Sequence, residues 1–205
     1  MKTCIIFAGG EFSAPSFTDT KADLVICADR GYIHAEKLGI VPDIITGDFD
    51  SYIGELPEDT EIYRSVPEKD DTDTMLAVKL AIDRKCTDIR LYGALGGRFD
   101  HTFANIQALI YAHEHGCKMT VYDIDNIITV QGIGTELYEK YDGWYFSVFS
   151  LTEKLHVEKM TGVKYPVQNH IFTQGFPLGV SNEIISDNAV VSVKNGLALI
   201  VRSRR

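Results

Sequence analysis

Residues 88–122 read DIRLYGALGGRFDHTFANIQALIYAHEHGCKMTVY. Both ends of this stretch, 88–92 and 118–122, are short β-rich runs that predict strands. Between them we predict a helix over 101–115 that ends at Gly116, a residue type common after helices. Its apolar side chains recur at helical spacing: Phe103, Ile106, Leu109 and Ile110. Strand, helix and strand in succession predict a parallel βαβ unit.

The same alternation extends back to the start of the chain. A second helix is predicted over 72–85, with Asp71 or Thr72 as its cap and Leu76, Ala77, Leu80 and Ala81 at helical spacing. Several of the remaining runs are apolar on both faces, as buried parallel strands are. All of the remaining runs together predict four strands, over 3–8, 23–28, 43–46 and 61–66. The pattern predicts a doubly wound, mostly parallel sheet with flanking helices over residues 1–132.

The pattern changes from about Gly134, where helical periodicity disappears. Turn dipeptides now separate β-rich runs, which cover 144–149, 189–193 and 197–201. Asn195-Gly196 stands between the last two runs and predicts a hairpin, because this dipeptide accepts the positive φ angles of a type I′ turn. Residues 133–205 are therefore predicted to form an all-β sandwich.

Composition limits the possible functions. The chain has 205 residues, 45% of them hydrophobic, and a net charge of -9. An acidic chain is poorly suited to sequence-independent binding of nucleic acid, which requires a basic surface. No apolar run is long enough for a membrane helix or a signal-peptide core. The four cysteines are scattered without zinc-ligand spacing, so a reducing cytoplasm is the expected compartment.

Four acidic segments stand where apolar runs give way to turns: 28–31, 47–51, 69–73 and 96–101. The carboxyl ends of parallel strands meet at one edge of a sheet, where α/β proteins bind ligands. In an extended backbone, Asp48 and Asp50 would point to the same face and could clamp a hard cation such as Mg²⁺. Asp-x-Asp by itself is also a common polar turn.

The later two segments lead into predicted helices. Asp71 and Asp73 could simply be acidic residues that favour a helix N-terminus. The glycine-rich run 93–97 could receive phosphate on its backbone amides, with Arg98 offering a fork of donors to phosphate oxygens. Asp100 could hold metal, orient Arg98 or cap the helix.

Taken together, the motifs closely resemble those of the thiamine pyrophosphokinase family, and they run in order over nearly the whole chain. They are Asp29-Arg30-Gly31, Pro42-Asp43, Gly47-Asp48-Phe49-Asp50-Ser51, Lys69-Asp70-Asp71-Thr72-Asp73, Gly96-Gly97-Arg98-Phe99-Asp100-His101, Thr161-Gly162-Val163-Lys164-Tyr165-Pro166 and Gly179-Val180-Ser181-Asn182-Glu183. The resemblance implies an ATP-dependent diphosphotransferase that converts thiamine to thiamine diphosphate and releases AMP. It also implies a homodimer with active sites at the subunit interface.

The resemblance assigns roles to individual residues. Catalytic residues would be Asp48, Asp50, Asp73, Arg98 and Asp100, and the four aspartates would also hold Mg²⁺ with the polyphosphate. Nucleotide contacts would come from Asp29, Arg30, Gly31, Thr72, Gly96, Gly97 and His101. The thiamine contacts would come from Lys69, Tyr165, Ser181 and Asn182. Two positions depart from many relatives: Arg30 replaces a glycine, and Lys69 replaces a glutamine.

Three other functions are compatible with parts of the pattern. A related pyrophosphokinase could act on a pterin alcohol. A phosphohydrolase could use Asp48 as nucleophile and Asp50 as acid. A non-catalytic module could bind nucleotide or thiamine without consuming ATP. The products formed from ATP, magnesium and thiamine distinguish all of them.

Overall fold

The structure is a computed structural model that describes residues 1–12, 21–47, 60–64 and 71–205. The chain divides into two compact units, Met1–Ile124 and Asp125–Arg205. Asp48, Asp50 and Lys69, which the sequence predicts as site residues, lie outside the described residues.

The first unit is an α/β unit with a parallel sheet. Its described strands lie side by side in the order β4-β3-β2-β1-β5-β6, and each neighbouring pair is parallel. This order confirms the predicted doubly wound sheet. The elements are β1 (Thr3–Phe7), β2 (Leu24–Ala28), α1 (Gly31–Lys37), β3 (Ile44–Gly47), β4 (Glu61–Arg64), α2 (Asp73–Asp83), β5 (Asp88–Tyr92), α3 (Phe99–Glu114) and β6 (Lys118–Tyr122).

Helices pack on this sheet through small and aliphatic side chains. α1 packs on β1 and β2, where Ala35 joins a buried cluster with Ile5, Phe7, Val25, Cys27, Ile45 and Tyr92. α2 packs against β1, β2 and β3, and α3 packs against β6 and α2. The sequence pattern did not predict α1, because it has only seven residues and buries only Gly31 and Ala35.

The two predicted helices are present, with differences in detail. Thr72 caps α2, since its Oγ1 accepts a hydrogen bond of 3.1 Å from the backbone N–H of Met75. The prediction for the buried side of α3 was partly wrong, because Phe103 is 53% exposed. The buried residues of α3 are Asn105, Ala108, Leu109 and Ala112.

The second unit is an all-β sandwich, as predicted. One layer has the order β7-β13-β9 and the other the order β11-β10-β12-β8. Side chains from both layers share one core, which includes Phe146, Leu155, Val157, Phe172, Val191 and Ile200. The strands are β7 (Asn126–Gln131), β8 (Gly134–Glu139), β9 (Trp144–Ser150), β10 (Lys154–Thr161), β11 (Val167–Thr173), β12 (Asn188–Asn195) and β13 (Ala198–Arg204). The second unit begins at Asp125 and so includes β7, which pairs with β13 of the same unit.

The predicted Asn195-Gly196 hairpin is wrong. β12 pairs with β10 and β8, whereas β13 pairs with β7 and β9, so the dipeptide connects the two layers. Gly196 has a φ of +90°, and a Cβ there would lie 2.5 Å from the carbonyl oxygen of Lys154. Glycine is needed here because another backbone segment approaches closely.

The four cysteines are free and buried. Burial raises the pKa of the Cys27 thiol to about 12, so this thiol stays protonated and packs as a small apolar group. Within the described ranges, no helix is both long and apolar enough to cross a membrane.

Candidate functional site

A cleft of about 1000 Å³ opens at the carboxyl edge of the parallel sheet. Its walls come from the segments that follow β1, β2 and β5 and from the start of α2. The chain builds β2, β3 and β4 on one side of β1 and β5 and β6 on the other, so the cleft lies at the point where the strand order reverses. Ligands of open α/β sheets bind at such points.

Glycines let two loops meet at the floor of this cleft. The backbone N–H of Gly10 donates to the carbonyl oxygen of Gly93 at 2.9 Å. A Cβ on Gly10 would lie 2.5 Å from that oxygen, and a Cβ on Gly93 would lie 2.5 Å from the carbonyl oxygen of Ala8. Any side chain at either position would push the loops apart.

The glycine-rich loop after β5 leads directly into α3. Gly96 and Gly97 have φ angles of +81° and +64°, which favour glycine. The loop is fixed from below by Asn105, whose buried amide donates to the carbonyl oxygen of Ala94 at 2.7 Å. The N-terminus of a 16-residue helix therefore follows a loop that lines the cleft, an arrangement suited to an anion.

Arg98 and Asp100 form a two-point ion pair at the start of α3. The Arg98 guanidinium donates to both carboxylate oxygens of Asp100, at 3.1 and 2.5 Å. This contact lowers the pKa of Asp100, and both side chains are mostly exposed, at 73% and 63%. Arg98 lines the cleft, whereas Asp100 is absent from its lining. Asp100 also occupies the first turn of α3, and the predicted capping position belongs to Arg98.

The start of α2 contributes four consecutive lining residues, Asp71, Thr72, Asp73 and Thr74. Asp71 is more than a helix-start residue, because the Lys79 ammonium donates to its two oxygens at 2.8 and 2.6 Å. Since Lys79 lies two turns along the same helix, the pair ties the acidic motif to α2.

The segment after β2 supplies Asp29 and Arg30. Asp29 has a φ of +49°, and its backbone N–H donates to the carbonyl oxygen of Thr46 at 2.7 Å. Non-glycine residues with left-handed backbone are uncommon and cluster at functional sites. Gly31 does not line the cleft; it is buried at the start of α1.

Sequence reasoning missed His34 as a lining residue. Its Nε2 donates to the carbonyl oxygen of Gly10 at 2.8 Å, and its ring stacks on Phe12 at a centroid distance of 5.2 Å. Burial lowers the pKa of His34, which keeps the ring neutral at pH 7. No motif surrounds this histidine in the sequence. Asn105 did carry a signal, as a polar residue within the apolar pattern of α3.

The predicted thiamine residues of the second unit lie together. Tyr165 is 60% exposed, and Asn182 is only 5% exposed. The side-chain amide of Asn182 bonds to both backbone groups of Tyr165. Ser181 has a φ of +58°, and its backbone N–H donates to Ser147 Oγ at 3.0 Å.

The cleft therefore gathers most of the predicted phosphate and nucleotide residues of the first unit: Asp29, Arg30, Thr72, Asp73, Gly96, Gly97, Arg98 and His101. Among the residues that the structure describes, no group of three or more His, Cys, Asp or Glu could hold a metal ion. Asp48 and Asp50 lie outside that part of the chain.

Comparison with known proteins identifies the class and the family. Residues 18–121 match the family model "Thiamin pyrophosphokinase, catalytic domain", and residues 133–198 match "Thiamin pyrophosphokinase, vitamin B1 binding domain". With its α/β unit and β-sandwich, the chain belongs to a class of two-domain transferases of the kinase type. It is a member of the thiamin pyrophosphokinase family.

Full-length relatives agree with this assignment. The chain is 33% identical to the thiamine pyrophosphokinase of Bacillus subtilis over 99% of both chains. It superposes on the crystal structure of a Bacillus subtilis thiamine pyrophosphokinase with a TM-score of 0.90, 32% identity and 99% coverage of both chains. For the Geobacillus thermodenitrificans structure, the TM-score is 0.87 at 30% identity, with 99% and 98% covered. These matches favour neither the pterin nor the phosphohydrolase alternative.

Proposed function

We propose that this chain transfers the diphosphate of ATP to the hydroxyl of thiamine, giving thiamine diphosphate and AMP. One observation carries the proposal: a catalytic and a vitamin B1 binding model match in series, over residues 18–121 and 133–198. Similarity to a thiamine pyrophosphokinase over 99% of both chains, at 33% identity, supports the same proposal.

The cleft supplies groups that bind a polyphosphate. Backbone amides of the 93–97 loop and the N-terminus of α3 provide fixed donors and the positive end of a helix dipole. Arg98 adds an exposed guanidinium. When phosphate enters, Arg98 would exchange a carboxylate oxygen of Asp100 for a phosphate oxygen of similar geometry.

We propose Mg²⁺ as the cation that accompanies the polyphosphate. Its ligands would be Asp48, Asp50, Asp73 and Asp100, whose carboxylate oxygens suit a hard cation. Asp73 fits this role because it lines the cleft, whereas Asp100 is paired with Arg98 and would have to exchange that partner for the cation. When bound, the cation would neutralise charge on the phosphate oxygens during transfer.

The residues of the chain would mainly hold the reactants in line. The thiamine hydroxyl must approach the β-phosphorus opposite the bond to AMP, and a loose phosphoryl transition state places little demand on a strong base. Fixed loop amides and Arg98 would therefore contribute by positioning and by stabilising negative charge. His34 holds Gly10 in place and stays neutral.

On the thiamine side, Tyr165 offers an exposed aromatic ring to a planar substrate. Ser181 lies next to Asn182 and has a hydroxyl suited to a polar substituent of the substrate. As a cation, Lys69 would be suited to contact with phosphate rather than with the cationic ring of thiamine, because like charges repel.

Incubation with ATP, Mg²⁺ and thiamine is expected to yield AMP and thiamine diphosphate in equal amounts. Mass spectrometry of the products measures both. A matched reaction with a pterin alcohol in place of thiamine should leave ATP unchanged. Formation of ADP with thiamine monophosphate, or of inorganic phosphate alone, would contradict diphosphate transfer.

We further propose a homodimer in the cytoplasm. Buried free thiols support a reducing compartment. Large apolar side chains exposed on the second unit support self-association: Leu137, Ile171, Phe176, Leu178, Val180 and Ile185. Sedimentation equilibrium is expected to give twice the mass of one chain. A single-chain mass at every micromolar concentration would contradict the dimer.

A further inference from the structure

Two short segments of the second unit lie against each other, Lys164-Tyr165 and Asn182-Glu183. They flank the antiparallel bridge between Val163 and Ile184. The backbone N–H of Lys164 donates to the carbonyl oxygen of Glu183 at 2.9 Å. The exposed Tyr165 ring therefore belongs to a segment whose backbone is hydrogen-bonded to the Asn182-Glu183 segment.

The side chain of Asn182 holds both backbone groups of Tyr165. Its Oδ1 accepts from the Tyr165 N–H at 3.0 Å, and its Nδ2 donates to the Tyr165 carbonyl oxygen at 2.9 Å. The same Oδ1 accepts from the Glu183 N–H at 2.9 Å. Since Asn182 is nearly fully buried, these hydrogen bonds are shielded from competition by water.

Asn182 is itself attached to the sandwich core. Its carbonyl oxygen accepts from the backbone N–H of Phe146 at 2.8 Å, and Phe146 is a buried member of that core. Ser181 adds a second attachment to β9 through Ser147. The position of Tyr165 therefore depends on a rigid part of the fold.

Ion pairs connect the side chains on the exposed side of the same two segments. Glu183 accepts from the Lys164 ammonium at 3.1 Å and also contacts the Arg205 guanidinium. The hydrogen bond from Lys164 lowers the pKa of Glu183, so the carboxylate stays ionised. The Lys164 ammonium lies 5.6 Å from the centre of the Tyr165 ring, within the range of a cation–π contact.

We infer that Asn182 and Glu183 are positioning residues for substrate binding. Asn182 fixes the backbone of Tyr165, and Glu183 holds Lys164 against the ring, leaving the remainder of the ring surface for a planar substrate. The inference rests on the proposed function, because the substrate is taken to be thiamine. It assigns the Asn182 amide to Tyr165 rather than to the substrate.

Steady-state kinetics of Asn182→Ala test this role. We expect the KM for thiamine to rise about tenfold, because buried hydrogen bonds to Tyr165 are lost. The kcat and the KM for ATP should change less than about twofold, since the cleft of the first unit is untouched. Glu183→Gln, a surface change that should not endanger folding, is expected to raise the thiamine KM by no more than about fivefold.

A double-mutant cycle separates positioning from general destabilisation. In a Tyr165→Ala background, Asn182→Ala should change the thiamine KM by less than about twofold, because the ring to be positioned is gone. The inference would be overturned if Asn182→Ala raised the thiamine KM by the same factor with and without Tyr165. It would also be overturned if Asn182→Ala left the thiamine KM unchanged in the protein that keeps Tyr165. The matched control is Asp142→Asn, which breaks the exposed Lys140–Asp142 ion pair of the same unit.

Amide hydrogen exchange gives a second readout that does not depend on activity. The Tyr165 N–H should exchange faster in Asn182→Ala than in the parent and in Asp142→Asn. Equal exchange in all three proteins would overturn the role of Asn182. A parent protein that makes no thiamine diphosphate would instead overturn the proposed function, and exchange at Tyr165 would still show whether Asn182 holds the segment.

Discussion

Replacing Asp73 by asparagine is expected to lower kcat for thiamine diphosphate formation by about 100- to 1000-fold. Asp73 lies in the first turn of α2 and lines the cleft beside Thr72. The substitution keeps the size of the side chain but removes the charge that would bind Mg²⁺ with the polyphosphate. Product formation under saturating ATP and thiamine, followed by mass, measures the loss.

The control for this prediction is Asp83→Asn on the same helix. Asp83 is the last residue of α2 and does not line the cleft. A carboxylate near a helix C-terminus is unfavourable, so its removal should leave the activity unchanged and the fold slightly more stable. Near-full activity of Asp73→Asn at millimolar Mg²⁺ would argue against any role of Asp73 in the phosphate site.

Replacing Gly31 by alanine is expected to lower the free energy of unfolding by about 3 kcal/mol. A Cβ at this position would lie 1.9 Å from the carbonyl oxygen of Phe7, which ends the central strand β1. That strand is buried and pairs on both sides with parallel neighbours, so it cannot shift to make room. Urea denaturation followed by circular dichroism measures the change.

Gly175→Ala provides the matched comparison. A Cβ on Gly175 would have no heavy atom of the described residues within 4 Å, so the stability should change by less than about 0.5 kcal/mol. If Gly31→Ala proved as stable as Gly175→Ala, the close approach of α1 to the end of β1 would be refuted. The resemblance assigns Gly31 to the nucleotide, and its close approach to Phe7 gives a separate reason for glycine at this position.

Local patterns predicted the α/β unit well. The central strands β1, β2 and β3 are buried and largely apolar, α2 and α3 are amphipathic, and Gly116 follows the end of α3 with a φ of +71°. Each of these signals depends on residues close together in sequence. α1 escaped prediction because its seven residues bury little and owe their helical state to packing on β1 and β2.

The error at Asn195-Gly196 shows where local turn chemistry fails. A two-residue hairpin would join β12 to β13 within one layer. In the sandwich, β12 instead pairs with β10 and β8 in one layer, whereas β13 pairs with β7 and β9 in the other. Pairing with strands remote in sequence prevailed over the preference of one dipeptide.

The candidate site likewise contains residues that local motifs predicted and residues whose roles depend on contacts between distant segments. Its acidic and glycine motifs were visible in sequence, because phosphate and metal chemistry demand particular residue types at close spacing. His34 and Asn182 were not assigned their roles, since each acts through a backbone group far along the chain, at Gly10 and at Tyr165.

By itself, the sequence determined the alternation of strands and helices, the β-rich second half, and the motifs that mark the family. The tertiary structure decided which residues share the cleft, that Arg98 pairs with Asp100, and that Asn182 holds Tyr165. Periodicity and turn preference are properties of neighbouring residues. Clefts, ion pairs and clamps arise from contacts between distant segments, which form only when the chain has folded.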